Sequence, residues 1–379
     1  MNPFYFILVL AFSITFLIVY LVDGGFQDNS LAQANYGYSN FKTLFDLHQH
    51  HDIVELPEDV DWSQYAYVQY ATNQNYLCNN IMIFEQLRAL DTNAERVLIY
   101  PNYWGEPDVP EPPAPKGMKF IEKNKKTTEL LRLARDQYSV KLKPVKELEF
   151  MAVERTWKSS FTKLMAFNET DYKRVIVMDA DAFVLKSLDY LFLEERANKS
   201  SPISAPTAYW QPPRANNSPM LTSALMVIDP STQEFEKLLA AAQTRHIQDY
   251  DMDLINDEYE GIIEPLAHKD LFMLSAEFRS TNHTTYMGSE PWNGIEQVRK
   301  AAYIHFSDWP FPKPFRQASL EKVIEFQPAC VDVVNEDGKT TLDCTDRDIW
   351  NLLYFDFGKR RYVCYQVSVF FFLFSLDQH

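Results

Sequence analysis

Between Tyr65 and Asp179 the chain alternates short β-prone runs with stretches of helical periodicity, and this alternation restricts the folds open to it. Tyr65-Ala-Tyr-Val-Gln-Tyr70 reads as a strand, and a polar turn at Thr72-Asn73 follows. From Tyr76 to Leu90 the residues Leu77, Ile81, Phe84, Leu87 and Leu90 recur at helical spacing. Arg96-Val-Leu-Ile-Tyr100 is a second strand, a helix is expected over about 122–138, and a third strand over about 140–145. Another helix, around 158–167, precedes the apolar run Arg174-Val-Ile-Val-Met178. Such alternation predicts a parallel sheet with helices on both faces. Further on, Leu221 to Asp229 reads as a strand, Ser231 to Ala242 as a helix capped by Ser231, Asp251 to Tyr259 as a short helix and Ala301 to His305 as a late strand. The loop 101–115 contains six prolines and is expected to be extended and exposed. There is no internal repeat and no sign of a second core, so one α/β body with appended elements is expected.

The Arg174 run ends in Asp179-Ala-Asp181. In an extended strand, residues i and i+2 point to the same side. The carboxyl ends of strands in open α/β sheets are where ligands bind. Two carboxylates held together raise each other's pKa unless a cation sits between them, and a cation brought in with a phosphate is the economical explanation. Two other readings stay open at this point. The acids fit a cap for the next turn, or the nucleophile and acid/base pair of a haloacid-dehalogenase-type phosphatase. That signature continues with Gly-Thr, whereas Ala182-Phe183 follows here.

A net charge of −16 argues against a nucleic-acid partner. Phe4 to Val22 is uncharged over 19 residues, about 28 Å as a helix, and reads as an uncleaved membrane anchor rather than a signal peptide. Residues 1–3 would be a short cytoplasmic tail and 23–61 a stem. Sequons at Asn168, Asn198, Asn216 and Asn282 agree with a luminal body. Cys330 and Cys344 flank a hairpin pattern and suggest a disulfide, while Cys78, in an apolar helix pattern, reads as a buried free thiol. Cys364 has no assignment. The apolar tail Val367 to Leu376 is too short to span a bilayer.

Four blocks, in order, resemble the glycogenin-like retaining glycosyltransferases of family eight, and more narrowly their fungal Golgi α-N-acetylglucosaminyltransferase branch. These are Tyr70-Ala-Thr72-Asn73-Gln-Asn-Tyr76, Ser160-Phe-Thr-Lys163-Leu, Met178-Asp-Ala-Asp181-Ala-Phe-Val-Leu185 and His305-Phe-Ser-Asp-Trp309-Pro-Phe-Pro-Lys313-Pro-Phe315. The resemblance covers roughly Tyr65 to Phe315. It implies a single Rossmann-like nucleotide-sugar-binding domain of the glycosyltransferase A type, over about 62–320, with 321–379 as an extension. Thr72, Asn73 and Tyr76 would contact uridine and ribose, and Lys163 and Lys313 the donor diphosphate. Asp179, Asp181 and His305 would hold one divalent cation, Mn²⁺ or Mg²⁺. Asp251 matches an acidic residue beside the acceptor, and a helix cap is its other reading. Two departures stand out. Two extra residues separate His305 from Lys313, with Asp308 where relatives carry Gly, and Leu221-Thr-Ser-Ala224 lacks the usual amide and glycine.

The resemblance implies a UDP-N-acetylglucosamine donor, a mannose-terminated glycan acceptor, and a single-pass type II Golgi protein with a luminal catalytic domain. A glycogenin-like glucosyltransferase and an inactive glycan-binding protein of the same fold are the alternatives.

Overall fold

The computed structural model describes residues 54–108, 125–148, 150, 160–334 and 337–364. The expected anchor, most of the stem, the greater part of the proline-rich loop and the apolar tail lie outside them. No helix among the described residues is long and apolar enough to cross a membrane.

The first half follows the expected alternation: β1 (Tyr65–Tyr70), α1 (Gln74–Ala89), β2 (Glu95–Pro101), α2 (Lys125–Tyr138), β3 (Val140–Val145) and β4 (Arg174–Met178). β5 (Ala182–Val184), β6 (Ile203–Pro206), β7 (Leu225–Ile228), α3 (Thr232–Thr244), α4 (Asp251–Glu258) and β8 (Glu264–Leu266) come next. The chain continues through β9 (Phe272–Leu274), α5 (Thr284–Met287), α6 (Gly294–Lys300) and β10 (Tyr303–His305). It closes with α7 (Leu320–Phe326), β11 (Val331–Val334), β12 (Thr340–Asp343) and α8 (Thr345–Arg360).

A seven-stranded sheet runs in the order β3-β2-β1-β4-β7-β6-β8. The β3-β2-β1-β4 half is parallel. β7 pairs antiparallel with both β4 and β6, so the sheet is mixed rather than parallel throughout. The reason lies in the connections. A parallel neighbour needs a crossover, usually an α-helix, and no α-helix lies between Met178 and Leu225. β1 is buried along nearly its whole length, as expected of a central strand covered on both faces. On one face Ala66, Val68, Val97, Ile99, Val175 and Val177 pack against Phe161, Leu164 and Phe167, and against Leu238 and Ala242 of α3.

Three expectations change. The 158–167 helix is a 3-10 helix over Ser160–Asn168 with Phe161 to Leu164 buried, so it presents little open face. The proline loop makes a 3-10 turn at Asn102–Trp104 before leaving the described residues. Cys78 is not a free thiol: it is bonded to Cys364 with Cα atoms 5.8 Å apart, while Cys330 pairs with Cys344 as expected. The Cys78 partner lies 286 residues away, a distance over which spacing carries no pairing signal.

Candidate active site

β1 and β4 are neighbours, but the chain leaves β1 toward β2 and reaches β4 only after β3. Their carboxyl ends therefore open at the point where the strand order reverses, the place where α/β sheets hold ligands. β4 stops at Met178, and the chain bends at Ala180 and Asp181 before entering β5 in a second sheet, ordered β5-β10-β9. Asp179 and Asp181 thus straddle a handover between sheets rather than alternating along one extended strand. They still converge, because both sheets are pinned there. Asp179 N–H donates to Ala224 O (2.9 Å), and Phe306 N–H donates to Asp181 O (2.9 Å).

The register of β10 against β5 sets His305 opposite Ala182, beside Asp181. His305 Nε2 lies 3.4 Å from Asp181 Oδ1 and 3.9 Å from Asp179 Oδ2. The imidazole is buried, yet neither ring nitrogen has a hydrogen-bond partner. Buried polar atoms are nearly always paired. Two donors bound to one cation at about 2.1 Å can be up to about 4.2 Å apart, and both distances fall inside that limit. One ligand atom from each of the three residues lies within 4.8 Å of the others. The set therefore fits a divalent ion, and two carboxylates with an imidazole suit Mn²⁺ or Mg²⁺ completed by phosphate or water oxygens.

The outer carboxylate oxygens face lysines. Lys313 Nζ is 2.7 Å from Asp181 Oδ2 and donates to Phe306 O (2.8 Å). Burial pushes the Asp181 carboxyl up, but Lys313 and His305 together outweigh it and hold it well below the ordinary carboxylate range. Lys163 is enclosed rather than exposed, with only 2% of its side chain accessible. Its ammonium is 2.8 Å from Asp179 Oδ1, 2.7 Å from Asp251 Oδ2 and 3.3 Å from Ser223 O. Burial alone would lower its pKa; Asp179, Asp251 and Tyr70 reverse this and hold it well above the usual lysine value. Asp251 opens α4 without capping it: the N-cap position is Tyr250. The Asp251 carboxylate instead takes Lys163 and the Ser223 hydroxyl (2.6 Å). Burial pushes Asp251 up, and Lys163 with Ser223 brings it below its usual value.

The predicted nucleotide turn lies beside this cluster. Asn73 caps α1, its Oδ1 accepting from the backbone N–H of Asn75 (3.0 Å) and Tyr76 (3.2 Å), so that oxygen serves the helix. Thr72 is half-buried just before it. Tyr76 packs edge-on against Phe315, ring centroids 5.4 Å apart. Burial, then the charges of Asp181 and Asp179, push its hydroxyl above the usual tyrosine range.

Four residues of the site were not anticipated in these roles. Tyr70 Oη donates to Asp179 Oδ1 (3.3 Å). Tyr303 Oη lies within hydrogen-bond distance of Asp179 O (2.9 Å) and Ala224 O (3.1 Å). Ser223 holds Asp251. Asp308 is a buried anchor, taking Ser275 Oγ, Trp350 Nε1 (2.9 Å) and Tyr354 Oη (2.7 Å) on its carboxylate and Arg279 on its carbonyl (3.1 Å). In the sequence Asp308 stands as an acid where the resemblance calls for Gly, Ser223 lies in the segment that lacks the usual amide and glycine, Tyr70 opens the first resembling block, and Tyr303 gave no signal.

No family model matches the chain. It is 40% identical over 316 residues to glucose N-acetyltransferase 1 of Gibberella zeae, covering 82% of this chain and 64% of that protein. It is 36% identical over 323 residues to glucose N-acetyltransferase 1 of Aspergillus fumigatus, covering 80% of this chain and 78% of that protein. The chain belongs to this fungal family. The protein of the same name from Saccharomyces cerevisiae is 24% identical over 422 residues, covering 81% of this chain and 82% of that one. These glucose N-acetyltransferase 1 relatives bear out the resemblance to the fungal branch, although the chain spans just under two thirds of the Gibberella protein's length. Among solved structures, the apo-form glycosyltransferase GlyE of Streptococcus pneumoniae TIGR4 aligns at TM-score 0.47 and 13% identity, covering 81% of this chain and 64% of that one. The galactosyltransferase LgtC with donor and acceptor sugar analogues aligns at TM-score 0.43 and 14% identity, covering 77% and 95%.

Proposed function

We propose that the protein is a metal-dependent retaining glycosyltransferase moving N-acetylglucosamine from UDP-N-acetylglucosamine to a mannose-terminated glycan, held by a single-pass type II anchor with its catalytic domain in the Golgi lumen. The observation that supports this most is the convergence of Asp179, Asp181 and His305 at a strand end, with Lys313 on the outer edge of Asp181. Read literally, the relatives' name denotes transfer of an acetyl group. A cation-binding triad beside a lysine suits a departing diphosphate, and acetyl transfer calls for no cation at the reacting bond.

A divalent ion held there supplies charge that stabilises the leaving nucleoside diphosphate, worth several kcal/mol. Lys313, with 36% of its side chain exposed, adds positive charge at the same oxygens. Lys163 is different: an ammonium has three N–H donors, and Asp179, Asp251 and Ser223 O take all three. It therefore positions the two carboxylates rather than touching the donor. Asp251, fixed by Lys163 and Ser223, orients the acceptor or the transferred sugar. Tyr76 offers a ring to the uracil, and Thr72 with the remaining amide of Asn73 faces the ribose. The family resemblance implies same-face attack, the leaving phosphate taking the acceptor hydroxyl proton, and no side chain is assigned as nucleophile.

The test is to incubate the purified protein with Mn²⁺, labelled nucleotide sugars and acetyl-coenzyme A, with and without mannose oligosaccharides. UDP release and N-acetylglucosamine transfer are expected from UDP-N-acetylglucosamine alone. Preference for UDP-glucose would move the reading to a glycogenin-like enzyme, acetylation would restore the literal name, and neither transfer nor donor hydrolysis would leave a binding protein.

A further inference from the structure

The segment from Phe306 to Lys313 is a loop whose two ends close on one residue. It begins where Phe306 N–H bonds Asp181 O, and returns where Lys313 Nζ meets the Asp181 carboxylate. Between these ends it makes a tight turn, Phe311 N–H donating to Asp308 O (2.8 Å). Both shoulders of the turn are fixed. Asp308 is buried and held by Ser275, Trp350, Tyr354 and Arg279. Phe311 is buried against Trp350 and Tyr354, ring centroids 4.9 and 5.1 Å away.

On this braced turn Trp309 is 87% exposed, the most exposed large apolar side chain among the described residues. Leaving an indole in water forgoes the largest apolar contribution any side chain offers. A flexible loop would let it fold back onto the protein. Here the anchored shoulders hold the backbone of the turn in place, within four residues of His305 on one side and Lys313 on the other. An exposed aromatic ring on a fixed mount, four residues from both His305 and Lys313, suits a ligand that arrives from solvent and has an apolar face. A pyranose is such a ligand, since its axial C–H groups form a flat patch that stacks on a ring while its hydroxyls stay wet. Tyr76, packed against Phe315, is assigned to the uracil, and Trp309 is assigned to the acceptor.

We propose that Trp309 is the stacking platform for the acceptor glycan, a specificity-determining residue that binds a terminal or penultimate sugar ring. This rests on the sugar-transfer reading of the site. At saturating UDP-N-acetylglucosamine, with mannotriose as acceptor, Trp309→Ala should raise the acceptor KM about tenfold, the size of a single lost aromatic contact. The donor KM should not follow it. Trp309→Phe and Trp309→Tyr should stay within about twofold of the native acceptor KM, and Trp309→Leu, apolar but ringless, should behave as the alanine variant. A native acceptor KM in Trp309→Ala overturns the proposal. So does rescue by Leu, or a donor KM that rises in step. If the native protein releases no UDP from its donor, the sugar-transfer reading fails on its own. The platform is then decided by fluorescence. Mannotriose should change the indole emission of the native protein and leave that of Trp309→Phe unchanged, and no change in the native protein overturns it.

Discussion

Lys163 is one cation shared by two acids, and the arrangement has a sign that can be measured. Removing one partner of a buried ionic cluster costs about 3–5 kcal/mol because the remaining charges stay buried without compensation. Lys163→Met, similar in volume but uncharged, should lower the urea midpoint at pH 7 by a corresponding amount in the presence of EDTA. The pH dependence goes further. In the native protein burial pushes Asp251 up, but Lys163 and Ser223 hold its folded pKa below the unfolded value. Its contribution is then fully present above the ordinary carboxylate pKa of about 4 and is lost as pH falls from there through the lower folded value. Without Lys163 the burial effect dominates, and the folded state favours the protonated acid. Lowering the pH from 7 to 5 should therefore raise the stability of Lys163→Met while leaving the native protein unchanged or weaker. Parallel profiles for the two proteins would remove Lys163 from its positioning role. Asp181→Asn tests the other side of the cluster: Mn²⁺-dependent UDP binding measured by calorimetry should vanish, and unchanged binding would take Asp181 out of the ligand set.

Among the elements, α8 does the most with the least sequence signal. Its N-cap is Cys344, disulfide-bonded to Cys330, and Cys364 just beyond its end is bonded to Cys78 in α1. Arg361 adds bonds to Asn75 O (3.2 Å), Asn75 Oδ1 (3.0 Å) and Asn79. The helix is thus fastened at both ends, and from its middle Trp350 and Tyr354 hold Asp308. In this way the extension beyond residue 320 steadies the loop that carries Lys313. In the chain-entropy picture, a crosslink closing 14 residues contributes about 3 kcal/mol and one closing 286 more than about 5 kcal/mol. Replacing Cys78 and Cys364 by Ser should therefore lower the melting temperature more than replacing Cys330 and Cys344, and the reverse order would show that the hairpin bridge governs the fold. Strands β1, β2 and β4 could be read directly, because parallel strands covered on both faces appear as largely apolar runs, while the edge strand β3, Val-Lys-Leu-Lys-Pro-Val, shows the alternation of a half-exposed strand. The Cys330 hairpin could be read because both halves lie within one short segment. Cys78 could not, since its partner sits at the far end of the chain and an apolar helix accommodates a thiol equally well.

At the scale of the whole molecule, the residues visible beforehand are those whose chemistry depends on type and order: Asp179, Asp181 and His305. Those that were hidden depend on enclosure. A lysine in a helical stretch gives no sign that it will be buried, and Ser223 or Tyr303 is an ordinary residue until the sheets bring it against Asp179 or Asp251. The charge balance follows only when both sets are counted together. Counting carboxylates and ammonium groups alone, Asp179, Asp181 and Asp251 against Lys163 and Lys313 give a formal −3 + 2 = −1 at the site, within a chain of net charge −16. A nucleoside diphosphate brings further negative charge, so it should meet repulsion unless a dication enters with it. UDP alone should then leave the melting temperature unchanged, whereas UDP with Mn²⁺ should raise it. A ligand at one hundred times its Kd contributes about 2.7 kcal/mol, which for a domain of this size is a shift of about 4 °C. EDTA should abolish the shift, and Asp181→Asn should not show it. An equal shift from UDP without any divalent ion would mean that Lys313 carries the diphosphate without a cation, and the role of Asp179, Asp181 and His305 as cation ligands would have to be given up.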